Sequence, residues 1–382
     1  MSSGPPLRIL VVTRSYPAPG DLYQYPFVHR RVLAYLSYGH EVAVFRPANQ
    51  PTPSKHRIDG VTCRSGSSEA LAAFADGWRP DVVAAHGFSE AQWPALAPLA
   101  ERYPIRAWLH GSEIPEFARR KAEWDLAGEE RAAALEVIER RRRFWREFLL
   151  APPARFGLVF VSHAAVDLFR HDLPDVPGAA SVIPNPIDTD LFRYQPKPAA
   201  QRFGVLMLRP FDSRGYGNDL AVSAILQLSD EAGSDRLRFT VVGDGPLMDR
   251  TLAPLRHLGN VAVERGFVSQ ARIAALHREH GVFLVPTRID TQGVSRDEAM
   301  SSGLVPVTNA IPAVREFVDG ECGELAPPED AGRLASGIRR MVEDPALFES
   351  HSAAAAARIR RQTAAALVVP QELALLRSAA DA

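Results

Sequence analysis

The chain carries 382 residues, more than one hydrophobic core normally organises, so two domains are expected. Its 44 Lys and Arg stand against 45 Asp and Glu for a formal charge of −1, which removes any global electrostatic case for nucleic acid or another polyanion as partner. Cys63 and Cys322 fit no CxxC spacing, so neither a disulfide framework nor a zinc site is indicated and a reducing cytoplasm is the expected compartment.

Met1 to Arg8 lacks the charged start and apolar core of a signal peptide, and no later apolar run is long enough to span a bilayer. Leu7 to Thr13 reads as a first strand. It leaves through Thr13-Arg14-Ser15-Tyr16-Pro17 into a loop with Gly20, Tyr23 and Tyr25, and the helix that follows, Val28 to Tyr38, has an N-terminus that could face a phosphate. Tyrosines in that loop can stack on sugar rings or simply anchor it. Glu41 to Phe45, Val82 to Ala85, Ile105 to Leu109 and Gly157 to Ser162 are further strands, each followed by turn chemistry or a helical pattern. His86-Gly87 ends one, Trp108-Leu-His110-Gly-Ser-Glu113 leaves another, and Ser162-His163 ends a third. A neutral histidine at such an exit can donate to a sugar hydroxyl or bond to nearby backbone. Between them, Glu139 to Leu150 combines a run of arginines with Phe144, Trp145 and Phe148; it could touch an anionic membrane, or be a solvated helix with a buried stripe.

The boundary is expected in Arg193 to Arg202, where Gln195-Pro-Lys-Pro suits a stiff linker, dividing the chain into 1–195 and 196–382. A second series of the same kind follows: strands Gly204 to Leu208, Arg238 to Val242, Val261 to Arg265, Val282 to Pro286 and Val305 to Thr308, with a helix over Asp219 to Leu228 and a final alanine-rich helical pattern from Pro345. Alternating strands and helices predict an α/β protein with parallel sheets, whose ligands meet the carboxyl ends of the strands.

Several loops of this half carry chemistry. Arg209 and Arg214 leave its first strand and could neutralise a diphosphate. Gly243 and Gly245, in Val241-Val-Gly-Asp-Gly-Pro246, allow a sharp turn and a close backbone approach. Gly266-Phe267-Val268 is an exit loop. The stretch Asp290-Thr-Gln-Gly-Val-Ser-Arg-Asp-Glu298 sets two carboxylates around Gly293, where a helix from Val294 to Ser302 begins. A bare glycine followed by the first amides of a helix, those of Val294 and Ser295, can receive a diphosphate, while Glu298 suits a ribose diol and Asp290 the hydroxyls of a sugar. Acids at a helix start are also common caps.

This last segment, continued as Glu298-Ala-Met to Pro306, resembles the acid, seven-residue spacing, acid signature of the family 4 retaining glycosyltransferases. The first acid there is usually Glu, one methylene longer than Asp290; Arg214 stands where Lys is usual, and Gly20 where many relatives pair two glycines. Weaker resemblances lie in His110-Gly-Ser-Glu113 and Val182-Ile-Pro-Asn-Pro-Ile-Asp188. The resemblance implies a GT-B fold, two Rossmann-like domains facing across a cleft, the last helix crossing back to the first domain. It implies a nucleotide-sugar donor, a glycan, lipid-linked or small-molecule hydroxyl acceptor, and no metal or other cofactor. By it, Arg209 and Arg214 grip the donor pyrophosphate, Phe267 marks where the base stacks, and His110 lies near the donor sugar; Tyr25, His86, Glu113 and His163 are acceptor-side candidates. A nucleotide-sugar epimerase, a phosphorylase or a non-catalytic sugar-nucleotide-binding subunit would use the same scaffold, and the sequence does not set donor base, sugar, acceptor or oligomeric state.

Overall fold

The structure, a computed structural model, describes residues 4–22, 24–48, 53–174, 180–229 and 234–382, so Tyr23 lies outside the described residues. Contacts divide the chain into two units. The first comprises Met1–Arg119, Gly128–Pro186 and Ala365–Ala382, the second Arg120–Ala127 and Ile187–Ala364.

The first unit is built on β1 (Arg8–Thr13), β2 (Glu41–Pro47), β3 (Ser54–Ile58), β4 (Val61–Gly66), β5 (Val82–His86), β6 (Ile105–Leu109), β7 (Phe156–Phe160) and β8 (Ala180–Val182), in the order β3-β4-β2-β1-β5-β6-β7-β8. Every pairing is parallel except β3 with β4. β5 reads Val-Val-Ala-Ala-His and is buried along its whole length, as a central parallel strand covered on both faces should be. β3 reads Ser-Lys-His-Arg-Ile, a polar strand suited to the solvated edge it occupies.

In the second unit β9 (Gly204–Leu208), β10 (Arg238–Gly243), β11 (Val261–Arg265), β12 (Val282–Leu284), β13 (Val305–Asn309) and β14 (Glu324–Ala326) form an all-parallel sheet ordered β11-β10-β9-β12-β13-β14. Each sheet therefore reverses its winding direction once, between β1 and β5 in the first unit and between β9 and β12 in the second. At such a reversal the loops leaving the two strands diverge to opposite faces and open a crevice beyond their carboxyl ends.

The change of unit falls between Pro186 and Ile187, before the proline-bearing stretch 193–202. Ile187 and Phe192 already belong to the second unit's core, the Lys197 ammonium donates to the His277 carbonyl, and Arg202 Nε donates to Val342 O at 2.9 Å. Apolar burial and side-chain hydrogen bonds thus absorb residues that composition alone reads as a linker. The helix Gly128–Leu150 is likewise turned inward: Trp145 and Phe148 are buried and pack on Phe88, each at 5.3 Å between ring centroids, with Phe144 against the same cluster. The aromatics that a membrane face would need are committed to the core. No described helix is long and apolar enough to cross a membrane.

The helix Ala365–Ala380 lies with the first unit, where Val368, Val369, Leu373, Leu376 and Ala379 join Val28, Val32 and Tyr35 of the helix Pro26–Ser37. At the centre of that contact Arg31 Nε donates to Glu372 Oε1 at 2.8 Å, Arg31 Nη2 to Asn185 Oδ1 at 2.9 Å, and the Tyr35 hydroxyl to Glu372 Oε2 at 2.6 Å. Both charges are shut off from water, with side-chain exposures of 0% and 0%. Removing one partner of such a pair strands the other, so Glu372→Ala should destabilise the protein by about 3–5 kcal/mol, while Arg31→Met with Glu372→Leu recovers most of that loss. Denaturant midpoints of the two variants check it.

Candidate active site

The loops at the β9–β12 reversal bring several of the second unit's candidate residues together. Arg209 follows β9 and extends its ladder by donating its backbone N–H to Val242 O at 3.0 Å. That fixes where its side chain starts. The residue is only 6% exposed, its guanidinium carbon lies 5.4 Å from the Tyr216 ring centroid, and its Nε finds no hydrogen-bond acceptor among the described residues. Burial pulls its pKa down, opposed by the nearby negative charge of Asp290 and the Tyr216 hydroxyl. A buried, under-bonded cation is costly unless an anion completes it.

Asp290 sits in the loop leaving β12. Its Oδ1 accepts from the backbone N–H groups of Thr291 and Gln292 at 2.8 and 3.2 Å, a tight turn that aims the chain at Gly293. Gly293 caps the helix Val294–Ser301 in the left-handed region, at φ +101°. A Cβ there would come within 2.9 Å of Arg296 Nη1 and 3.2 Å of Asp290 Oδ2. Behind the turn, Arg296 donates from Nε and Nη2 to Asp297 Oδ1 at 3.0 and 2.7 Å, and Gln292 Nε2 donates to Asp297 Oδ2 at 2.9 Å. Burial pushes the Asp297 carboxyl up to about 6 against the pull of Arg296. This clamp holds the helix start, with the Val294 and Ser295 amides at its positive end, in one geometry. Glu298 lies a turn further in, buried at 6% exposure.

Gly243 and Gly245 make room for the protein's own chain. A Cβ on Gly243 would run into the Arg209 carbonyl, and one on Gly245 would stand 2.7 Å from the Phe211 carbonyl oxygen. These glycines let the exits of β9 and β10 pack together, which seats Arg209. Arg214 is placed differently from Arg209: its side chain is 54% exposed and Nη2 lies 3.8 Å from Asp219 Oδ2. Asp219 is held in turn by Arg288 at 2.7 and 2.9 Å, and Asp125 accepts from Ser213 Oγ and the Arg214 N–H at 2.6 and 2.7 Å. Phe267 presents a ring that is 49% exposed.

In the first unit the β1–β5 reversal gathers Tyr25, His86, His110 and Glu113. Glu113 is 1% exposed, and its carboxylate accepts from the His110 and Gly111 N–H groups at 2.9 and 2.8 Å and from the Ser112 and Tyr25 hydroxyls at 3.1 Å each. It organises the loop that carries His110. Tyr25, at φ 52°, is held by that bond, and His86 Nδ1 lies 3.1 Å from His110 Nε2. Burial and the Arg31 charge hold both histidines well below their ordinary pKa, His86 being further lowered by His110. Gly20 turns an exposed loop between Ala18 and Asp21, and His163 opens the helix His163–Asp172 on the surface; neither joins this group. Glu116, His171 and Asp172 are close enough together to ligate a metal, but the Arg119 guanidinium bridges Glu116 and Asp172 and supplies their counter-charge.

Arg31, Tyr216, Gln292, Arg296 and Asp297 were not singled out from the sequence. The adjacent Arg296-Asp297 pair inside the short helix between two buried strands was the signal available for the clamp, since charges there must compensate each other.

Residues 204–344 match the profile of the family described as glycosyl transferases group 1. The match lies within the second unit. The chain is 30% identical over 213 residues to the phosphatidyl-myo-inositol mannosyltransferase of Mycobacterium tuberculosis, a stretch that covers 52% of this chain and 54% of the relative. It is 25% identical over 288 residues to glycogen synthase of the same organism, covering 74% and 65%. The chain thus spans about half the length of the mannosyltransferase it matches. Sucrose-phosphate synthase from Thermosynechococcus elongatus is similar with a TM-score of 0.75 at 17% identity, covering 97% of this chain and 98% of that one. Anabaena HepE, solved in complex with UDP and glucose, gives 0.70 at 16% identity over 97% and 100%. These likenesses establish the GT-B fold.

Within the second unit the Gly293 turn tolerates no side chain. Gly293→Ala should cost about 1–3 kcal/mol of stability, whereas Gly259→Ala, which meets nothing within 4 Å, should stay within about 0.5 kcal/mol. Paired denaturation curves test the contrast.

Proposed function

We propose that the protein is a retaining glycosyltransferase that moves a sugar from a nucleoside diphosphate donor to a hydroxyl acceptor, a growing polysaccharide, a lipid-linked oligosaccharide or another glycan. The observation that carries this reading is Arg209, a buried guanidinium at the strand reversal whose Nε has no acceptor among the described residues, in the same loop cluster as the Gly293 helix start. A diphosphate supplies the charge and acceptor oxygens both features require. The family match of residues 204–344 and the UDP complex of Anabaena HepE agree with that ligand class.

In the proposed reaction the bond from the sugar's anomeric carbon to the diphosphate oxygen breaks while the acceptor oxygen bonds that carbon from the same face. The acceptor's proton passes to the departing phosphate. Arg209 and the amides of Val294 and Ser295 stabilise the charge growing on the diphosphate, so the assignment calls for no metal. Arg214 adds its charge after exchanging Asp219 for the ligand. Asp290 takes hydroxyls of the transferred sugar, Glu298 the ribose diol, and Phe267 the face of the base. In the first unit His110 is assigned to a sugar hydroxyl, as a neutral donor. Glu113 acts on ligand only through the loop it holds.

Thermal unfolding with UDP, GDP, ADP and dTDP and their sugar conjugates, with and without magnesium, identifies the donor. The right series at about a hundred times its Kd adds about 2.7 kcal/mol and raises the midpoint by several degrees, with magnesium making no difference. With that donor, Arg209→Ala should lower kcat by roughly 10²–10³ and leave the unfolding midpoint without ligand unreduced. An unchanged kcat would remove the arginine from the reaction.

A further inference from the structure

Two guanidinium groups at the β1–β5 reversal have no ion-pair partner among the described residues. Arg14 follows β1 and donates its backbone N–H to His86 O at 3.2 Å, which starts its side chain beside the exit of β5. That side chain is exposed, and its one bond among the described residues is a long one, from Nη1 to Ser112 Oγ at 3.4 Å. Arg141 meets the same loop from the helix Gly128–Leu150. One turn further along that helix, on the same face, Trp145 Nε1 donates to the Glu113 carbonyl at 3.2 Å. Arg141 is half-buried and makes no hydrogen bond or ion pair among the described residues.

The nearby carboxylates are committed elsewhere. Glu90 accepts from Arg140 Nε at 2.9 Å, and the four bonds that Glu113 accepts hold its own loop. Burial pulls the Arg141 pKa down and the Arg14 charge adds to the pull; Glu90 and Glu113 oppose it, and Arg140 lowers it further. Two arginines near enough to repel each other, one of them partly desolvated, are costly unless an anion joins them. Guanidinium forks bind the oxygens of a phosphate or a carboxylate, the anion class such a pair selects. The place suits a ligand, because open α/β sheets bind one beyond the carboxyl ends of their strands at a reversal. In the proposed reaction the donor's diphosphate already has Arg209 and the Val294 and Ser295 amides, so an anion at Arg14 and Arg141 belongs to the other substrate.

We propose that Arg14 and Arg141 form an oxyanion subsite in the first unit, and that the hydroxyl acceptor carries a phosphate or carboxylate group that binds there. The two residues determine specificity: they select a charged acceptor over a neutral one and take no part in bond making. The acceptor assignment rests on the transferase reading above. The subsite does not.

Nitrogen NMR of the unliganded full chain labelled on arginine Nε tests it, the two signals being identified by their loss in Arg14→Gln and Arg141→Gln. Inorganic phosphate should shift both signals, while glucose, and sodium chloride at matched ionic strength, should shift neither. The tighter binder of glucose 6-phosphate and glucuronate names the acceptor's anion. Either variant should weaken phosphate binding at the remaining arginine roughly tenfold, as loss of a charged hydrogen bond does. Arg143→Gln, which removes an exposed arginine of the same helix, should leave that affinity unchanged. Absence of a phosphate shift, a shift that sodium chloride reproduces, or an equal loss in Arg143→Gln overturns the subsite. The nucleoside diphosphate found by thermal shift separates the two sources of anion: with it at saturation, glucose 6-phosphate should still move both signals with unchanged affinity. If the nucleotide alone moves them and displaces the sugar phosphate, the anion is the donor's and the acceptor assignment falls. Because the titration needs no donor, absence of sugar transfer with any donor would count against the transferase reading and leave the subsite standing.

Discussion

Arg31 and Glu372 form an ion pair with no access to water, and much of the first unit is arranged around satisfying it. Two charges removed from solvent are tolerated only when every remaining donor and acceptor is met. Tyr35, Asn185 and the Phe27 carbonyl meet them here. The pair therefore ties together three segments distant in sequence: the helix after β1, the chain just before the change of unit, and the helix Ala365–Ala380. Its reach extends to chemistry, because the Arg31 charge is among the causes that keep His86 and His110 neutral. A stability device and a protonation device are the same guanidinium.

The second unit solves a similar problem at its strand reversal. The proposed diphosphate site needs the first amides of a helix held in a fixed place. Asp290 shapes the approach, Gly293 supplies the left-handed residue, and the buried Gln292, Arg296 and Asp297 lock the first turn from behind. These bonds are made within the protein itself, so the helix start is held in place without a ligand. The two glycines of the β10 exit serve the same end by allowing the Arg209 carbonyl to pass where a Cβ would stand.

The α/β class and the course of the main strands were legible because parallel strands buried on both faces leave continuous apolar runs, as at Val82 to Ala85 and Val282 to Leu284. β3 was not legible, since its alternation of Lys, His and Arg reads as loop, nor was β14, which has only three residues. The loop residues Arg209, Asp290, Gly293 and Glu298 were legible from spacing and resemblance and fall in one region of the second unit. Glu113 looked like a ligand for an acceptor, yet four donors converge on it, because a carboxylate two residues beyond a glycine turn is well placed to bond that turn's own N–H groups. Sequence shows that an acid is present; only packing shows whom it serves. The same limit applies to Phe144, Trp145 and Phe148, whose aromatic character was plain and whose inward direction was not.

Arg209 and Arg214 are equivalent by composition and unlike by physics. Arg209 is already buried, lies on an aromatic face and has a donor with no acceptor among the described residues, so an arriving phosphate meets a cation that needs little further desolvation. Arg214 keeps its solvent and leans on Asp219, so its attraction is screened and must first displace a carboxylate. The difference predicts a division of labour in the proposed transfer: the buried guanidinium acts on the charge that appears as the diphosphate departs, and the exposed one acts earlier, in drawing the donor in. Raising ionic strength should then weaken donor capture, seen in kcat/KM, far more than it slows kcat, and Arg214→Ala should flatten that salt dependence while leaving most of kcat intact.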